Sequence, residues 1–136
     1  MSKKLSRSQA RCEAFKIIFQ LNQHMDDVDF LLDNLMNELP ASITSMPYIK
    51  NVVYGVMEKY DELTETISQN LADGWKVDRI SKVARAVLLL AIYEIEYVED
   101  VPAKVAINEA IELAKTFDMP DSSVFVNGVL AGVVNK

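Results

Sequence analysis

Two arginines one helical turn apart, Arg7 and Arg11, are the side chains best suited to a chemical task in this sequence. A guanidinium offers a planar fork of donors that fits two oxygens of one phosphate. A spacing of four places both forks on one side of a helix. Lys3, Lys4 and Lys16 join them, so residues 1–16 hold five basic side chains against Glu13 alone. The rest of the chain holds nine basic and nineteen acidic side chains. A net charge of −6 argues against a surface that seeks nucleic acid everywhere. A basic end on an acidic body points instead to a local anion site.

Other reactive residue types lead nowhere. His24 and Cys12 are the sole histidine and cysteine, and a nucleophile needs a positioned base that nothing in the pattern supplies. There is no P-loop, GxGxxG, GxSxG or zinc-ligand spacing. Glu109 and Glu112 lie one turn apart on a polar face, where carboxylates are ordinarily solvated. The expectation is no catalysis, no metal and no cofactor. A single cysteine fits a reducing compartment, and the N-terminus lacks the apolar run of a signal peptide, so the cytoplasm is the expected location and no membrane the expected partner.

The arginines need a helix to position them. Residues 6–22 supply it, with Ser6 as N-cap and Gln9 at the capping-box spacing. The apolar stripe Ala14, Ile18 and Leu21, extended backwards in steps of three and four, meets Arg11 and then Arg7. Two accounts stand: the helix overhangs the domain and the arginines are solvated, or they meet a phosphate-bearing partner beside the core.

The rest of the sequence reads as further helices. Residues 28–39 follow a cap at Asp26 or Asp27, residues 48–59 make a third helix, and Asp61 caps a fourth at 62–72. Residues 79–98, capped by Asp78, are apolar around most of the circumference, which marks a central helix with neighbours on many sides. The unbroken apolar run is too short to span a membrane. Within it Glu94 projects into the arc of Val83, Val87 and Leu90, where a bare carboxylate is costly; Arg79 is a candidate partner. Pro102 suits the first turn of a helix at 103–117, and Asp121 or Ser122 caps a last one to 134. The chain is expected to be one all-α domain over residues 1–136.

Four blocks carry a family resemblance: RSQARCEAFKIIFQ (7–20), AVLLLAIYEI (86–95), DVPAKVAINEAIELAKTF (100–117) and DSSVFVNGVL (121–130). Together they resemble the NusB family of bacterial transcription antitermination factors. The resemblance implies six to seven helices in two packed three-helix bundles around the central helix near 79–98. It implies a partner, NusE, a small-subunit ribosomal protein, and joint binding of boxA-type single-stranded RNA on nascent transcripts, chiefly of ribosomal RNA operons. The elongating RNA polymerase complex with other Nus factors is the wider assembly. By the resemblance, Arg7 and Arg11 match the RNA-binding first helix, Lys3, Lys4 and Lys16 support it, and Asp121 and Phe125 match a second part of the RNA site, expected beside the first. The NusE surface is expected at 60–84, with Asp61, Glu62, Glu65 and Asp73 as acidic candidates. Ser8, Gln9, Leu89, Val124 and Ala131 depart from the family pattern. A module of the kind fused to RNA methyltransferases, and an interaction protein that has lost RNA binding, are the alternatives.

Overall fold

Local capping chemistry sets where the helices begin. The computed structural model describes residues 4–24 and 27–135, the side chains of 23 and 24 excepted; the expectations placed on Lys3, Asp26 and the His24 imidazole lie outside the described residues. Helix α1 (Arg7–His24) starts on a reciprocal capping box: the Gln9 N–H donates to Ser6 Oγ at 3.0 Å and the Ser6 N–H to Gln9 Oε1 at 2.9 Å. Helix α2 (Val28–Glu38) is capped by Asp27, whose carboxylate accepts from the Asp29 N–H at 2.9 Å. A 3₁₀ segment, Pro40–Ser45, leads into α3 (Met46–Glu58), with Pro47 in its first turn. Helix α4 (Tyr60–Gln69) follows after Lys59 alone. Asp61 therefore sits inside the first turn of α4 rather than capping it. The start is set by the break at Lys59, not by a side-chain cap.

The central helix α5 (Lys82–Tyr97) begins three residues later than the sequence predicts. Residues Val77–Arg79 form a 3₁₀ turn, and Ile80 is extended and buried, which ends that turn. The cap is Ser81, whose hydroxyl accepts from the Ala84 N–H at 3.0 Å, in place of Asp78. Pro102 precedes α6 (Ala103–Phe117), and α7 (Ser122–Val134) closes the fold. The described residues contain seven α-helices and no strand, and none of the helices is long and apolar enough to cross a membrane.

Helix α5 earns its apolar circumference. Ala84 and every residue from Ala86 to Glu94 are buried, and α5 packs against α1, α3, α4, α6 and α7. Helices α1, α2 and α3 gather on one side of it, α6 and α7 on another. At Gly55 the α3 backbone meets α5 so closely that a Cβ there would lie 2.1 Å from the Tyr93 ring. Only glycine allows that approach, which also lets the Tyr93 hydroxyl donate to Asn51 Oδ1 at 3.2 Å. Leu89, which departs from the family pattern, is fully buried, so its apolar side chain suits its place.

Leu90 lies at the centre of this packing. Leu90→Ala should cost about 2–5 kcal/mol of stability in chemical denaturation, the range for large-to-small changes in a well-packed core. A change within about 0.5 kcal/mol would mean that α5 does not organise the core.

Candidate nucleic-acid interface

Arg11 is not where the stripe argument left it. Its side chain is 4% exposed and donates from Nε to Glu94 Oε1 at 2.7 Å and from Nη2 to Glu94 Oε2 at 2.9 Å. A third bond runs from Nη1 to Glu109 Oε1 at 2.8 Å. Three of the five N–H donors of the guanidinium are thus used by carboxylates. Burial alone would lower the pKa of this cation; the hydrogen bonds and charges of Glu94 outweigh it and raise it. Neither account of the two arginines holds for Arg11, because the core begins before it: Ala10 and Arg11 are already buried. Arg11, not Arg79, answers the buried Glu94. The pair joins α1 to α5, and Glu109 with Ser8, whose hydroxyl donates to Glu109 Oε2 at 3.0 Å, joins α1 to α6.

Arg7 remains at the surface, its side chain 43% exposed. Its guanidinium lies 4.2 Å above the Tyr48 ring centroid and pairs with Asp100 at 3.0 Å, in the turn between α5 and α6. Burial, and then the nearby Glu94 charge, push the Tyr48 hydroxyl well up from its ordinary pKa, so the ring is a neutral platform. Lys4 is exposed, and Lys16, two turns further along α1, pairs loosely with Glu13 at 3.3 Å.

Asp121 and Phe125 belong to the other end of the molecule. Helices α5 and α6 form an antiparallel hairpin: Asp100 is at its turn, while Ser81 before α5 donates to Asp118 after α6 at 2.5 Å. Burial pushes the Asp118 carboxyl up, but hydrogen bonds from Ser81 and the Met119 N–H outweigh it and hold it below its ordinary value. Arg7 is tied to the turn, Asp121 and Phe125 to the open end. Helix α6, with 15 residues, separates the two by roughly 22 Å at 1.5 Å per residue. The expectation of one site with its parts side by side is corrected to two clusters at the ends of one hairpin, because α6 carries the chain away from Asp100 before α7 begins. Asp121 makes no side-chain cap bond to α7, contrary to expectation.

At that open end the sequence reasoning missed Trp75. Its ring is 5.9 Å from that of Phe125, it is 52% exposed, and both line a cavity of about 390 Å³ with Arg79, Met119 and Asp121. The only signal available was a tryptophan in a polar connecting stretch. A second missed feature is an apolar groove of about 350 Å³ lined by Phe15, Phe19, Val83 and Phe117. The acidic candidates Asp61, Glu62, Glu65 and Asp73 are all exposed; Glu62 accepts from the Tyr97 hydroxyl and Glu65 from the Gln69 amide at 3.5 Å. No group of three His, Cys, Asp or Glu side chains among the described residues is arranged to hold a metal ion.

A family model described as the NusB family matches residues 8–135. The chain belongs to the NusB family. NusB from Levilactobacillus brevis, named a transcription antitermination protein, is 43% identical over 93% of this chain and 91% of its own length. The Bacillus subtilis NusB of the same name is 40% identical, with 95% of each chain covered. Among solved structures, T. maritima NusB superposes with a TM-score of 0.85 at 31% identity, over 98% of this chain and 93% of its own. A structure of antitermination factors NusB and NusE in complex with dsRNA shares the fold at a TM-score of 0.81 and 22% identity, over 95% and 96% of the two chains.

Within this NusB fold the buried pair makes a sharp demand. Arg11→Ala leaves Glu94 charged and buried with its partner gone, and should cost about 3–5 kcal/mol in urea denaturation. Arg7→Ala should move stability by less than about 1 kcal/mol, as exposed pairs do. Equal, small losses from both would show that Arg11 is an ordinary surface arginine.

Proposed function

We propose that this chain is a transcription antitermination factor that works by binding, without catalysis of its own. In this reading it pairs with NusE and holds boxA-type single-stranded RNA of nascent transcripts for the elongating RNA polymerase complex and other Nus factors, in the cytoplasm, as a single domain. The observation that carries it is the family match from residue 8 to 135, with relatives named transcription antitermination proteins at about 40% identity. The solved NusB–NusE complex with RNA supports the pairing by its shared fold. The module reading, with an RNA methyltransferase attached, draws no support from relatives that this chain covers over 91–100% of their own length.

Arg7 is the phosphate-contacting cation of this reading. It is half exposed, oriented by the Tyr48 ring, and loses only a solvated pair with Asp100 when a phosphate takes its place. Lys3, Lys4 and Lys16 add to the field around it. Arg11 acts by holding α1 against the hairpin, so it positions Arg7 rather than touching RNA. Asp121 and Phe125 form the second contact. NusE docks on the face of residues 60–84, where Asp61, Glu62, Glu65 and Asp73 present acidic charge to a basic ribosomal protein. Val83 continues that face into the apolar groove of Phe15, Phe19 and Phe117.

With NusE present, the Arg7→Ala, Lys4→Ala double variant should bind boxA RNA more weakly, most of all at low salt. Each lost contact to single-stranded RNA lowers the slope of log affinity against log salt by about 0.7. NusE affinity and helical content should be unchanged. A double variant with wild-type RNA affinity and slope would remove the first helix from the RNA site.

A further inference from the structure

The cavity at the open end of the hairpin holds two charged side chains with nothing to pair with. Arg79, in the 3₁₀ turn before α5, and Asp121, before α7, both line it. Neither makes a hydrogen bond or ion pair with any described residue, and they do not pair with each other. The contrast with Arg7, Arg11 and Asp118, all of which are bonded, is plain. In the same cavity the Trp75 indole leans on Phe125 and keeps half of its surface open.

Each wall narrows the ligand. An open indole and a Phe ring at one cavity are a stacking platform, and stacking is how proteins hold unstacked bases. A volume of about 390 Å³ lies in the range of small-ligand sites. A carboxylate near RNA repels phosphates unless it caps a helix or accepts from a base edge. Asp121 makes no cap bond, which leaves the base edge. An ionised carboxylate only accepts, so it needs donors, and guanine alone places two adjacent donors, N1–H and the 2-amino group, on one edge. A guanidinium only donates, and guanine O6 and N7 are the acceptors that arginine reads best.

We propose that this cavity takes one unstacked guanine of the RNA, its face on Trp75, its N1–H and 2-amino group on Asp121, and its O6 and N7 on Arg79. The assignment rests on the RNA-binding reading given above and adds base identity to it. It makes the two ends of the hairpin different in kind. The Arg7 end senses backbone charge and is indifferent to sequence; the Trp75 end selects a base.

Trp75 is the sole tryptophan of the chain, so its fluorescence reports on this cavity directly. The full chain with NusE is titrated with single-stranded boxA-type RNA and with otherwise identical RNAs in which each guanine in turn is replaced by inosine, which lacks the 2-amino group. A Trp75→Phe sample supplies the background. The expected result is quenching of Trp75 on binding, and one position at which inosine binds at least about fivefold more weakly. Asp121→Asn should abolish that discrimination and weaken the guanine RNA to the level of its inosine counterpart, because the paired charge-assisted bonds to N1–H and the 2-amino group are lost. Replacing the same guanine by 7-deazaguanine should weaken binding to wild type but not to Arg79→Ala. RNA binding with unchanged Trp75 fluorescence, or with no inosine-sensitive position, would overturn the guanine assignment alone. Absence of binding to any of the RNAs would overturn the RNA-binding reading and this assignment with it.

Discussion

A guanidinium with its carboxylates, sealed inside an all-helical core, is the constraint on which this structure depends. Arg11 enters from α1, Glu94 from α5 and Glu109 from α6. Hydrophobic packing would accept α1 in several rotations and registers, since its apolar stripe is broad. A bidentate ion pair accepts one. Either charge alone in that position would face a desolvation cost of several kcal/mol, so the pair penalises every other seating of α1. The same seating puts Arg7 one turn further out, over the Tyr48 ring and paired with Asp100 at the surface. The electrostatics of the core and the geometry of the surface cation are thus one arrangement.

The hairpin of α5 and α6 then spaces the two surface clusters. Its turn, at Asp100, meets the basic end of α1; its open end, tied by Ser81 and Asp118, meets the start of α7 and Trp75. A single ligand that engages both must span roughly 22 Å along the hairpin, which an extended single strand can do.

Much of the fold was legible because its determinants are local. The Ser6–Gln9 capping box, Asp27, Pro102 and the apolar circumference of α5 each announce themselves within a few residues. The Ser81 cap was hidden because Asp78 is an equally good cap by type, and only the extended, buried Ile80 decides between them. The site was less legible. Glu94 stood out as a costly carboxylate and Arg11 as an arginine on a core line. Yet 83 residues separate them, and Arg79 on the same helical stretch was the nearer choice. The resemblance to NusB supplied Asp121 and Phe125 but not their distance from Arg7, which is set by the length and direction of α6. Trp75 carried no periodic signal at all, since it sits in a connection whose path only the tertiary structure defines.

The most direct measurement of the central claim is a double-mutant cycle on the stability of the Arg11–Glu94 pair, using Arg11→Met, Glu94→Met and the two together. If the pair fixes α1, Arg11→Met strands the buried Glu94 and Glu94→Met leaves Arg11 with Glu109 alone, while the double variant replaces both by apolar side chains of similar length. The losses should then be strongly non-additive, with the double variant more stable than either single one and a coupling of several kcal/mol. Additive losses, with the double variant the least stable of the three, would contradict the account.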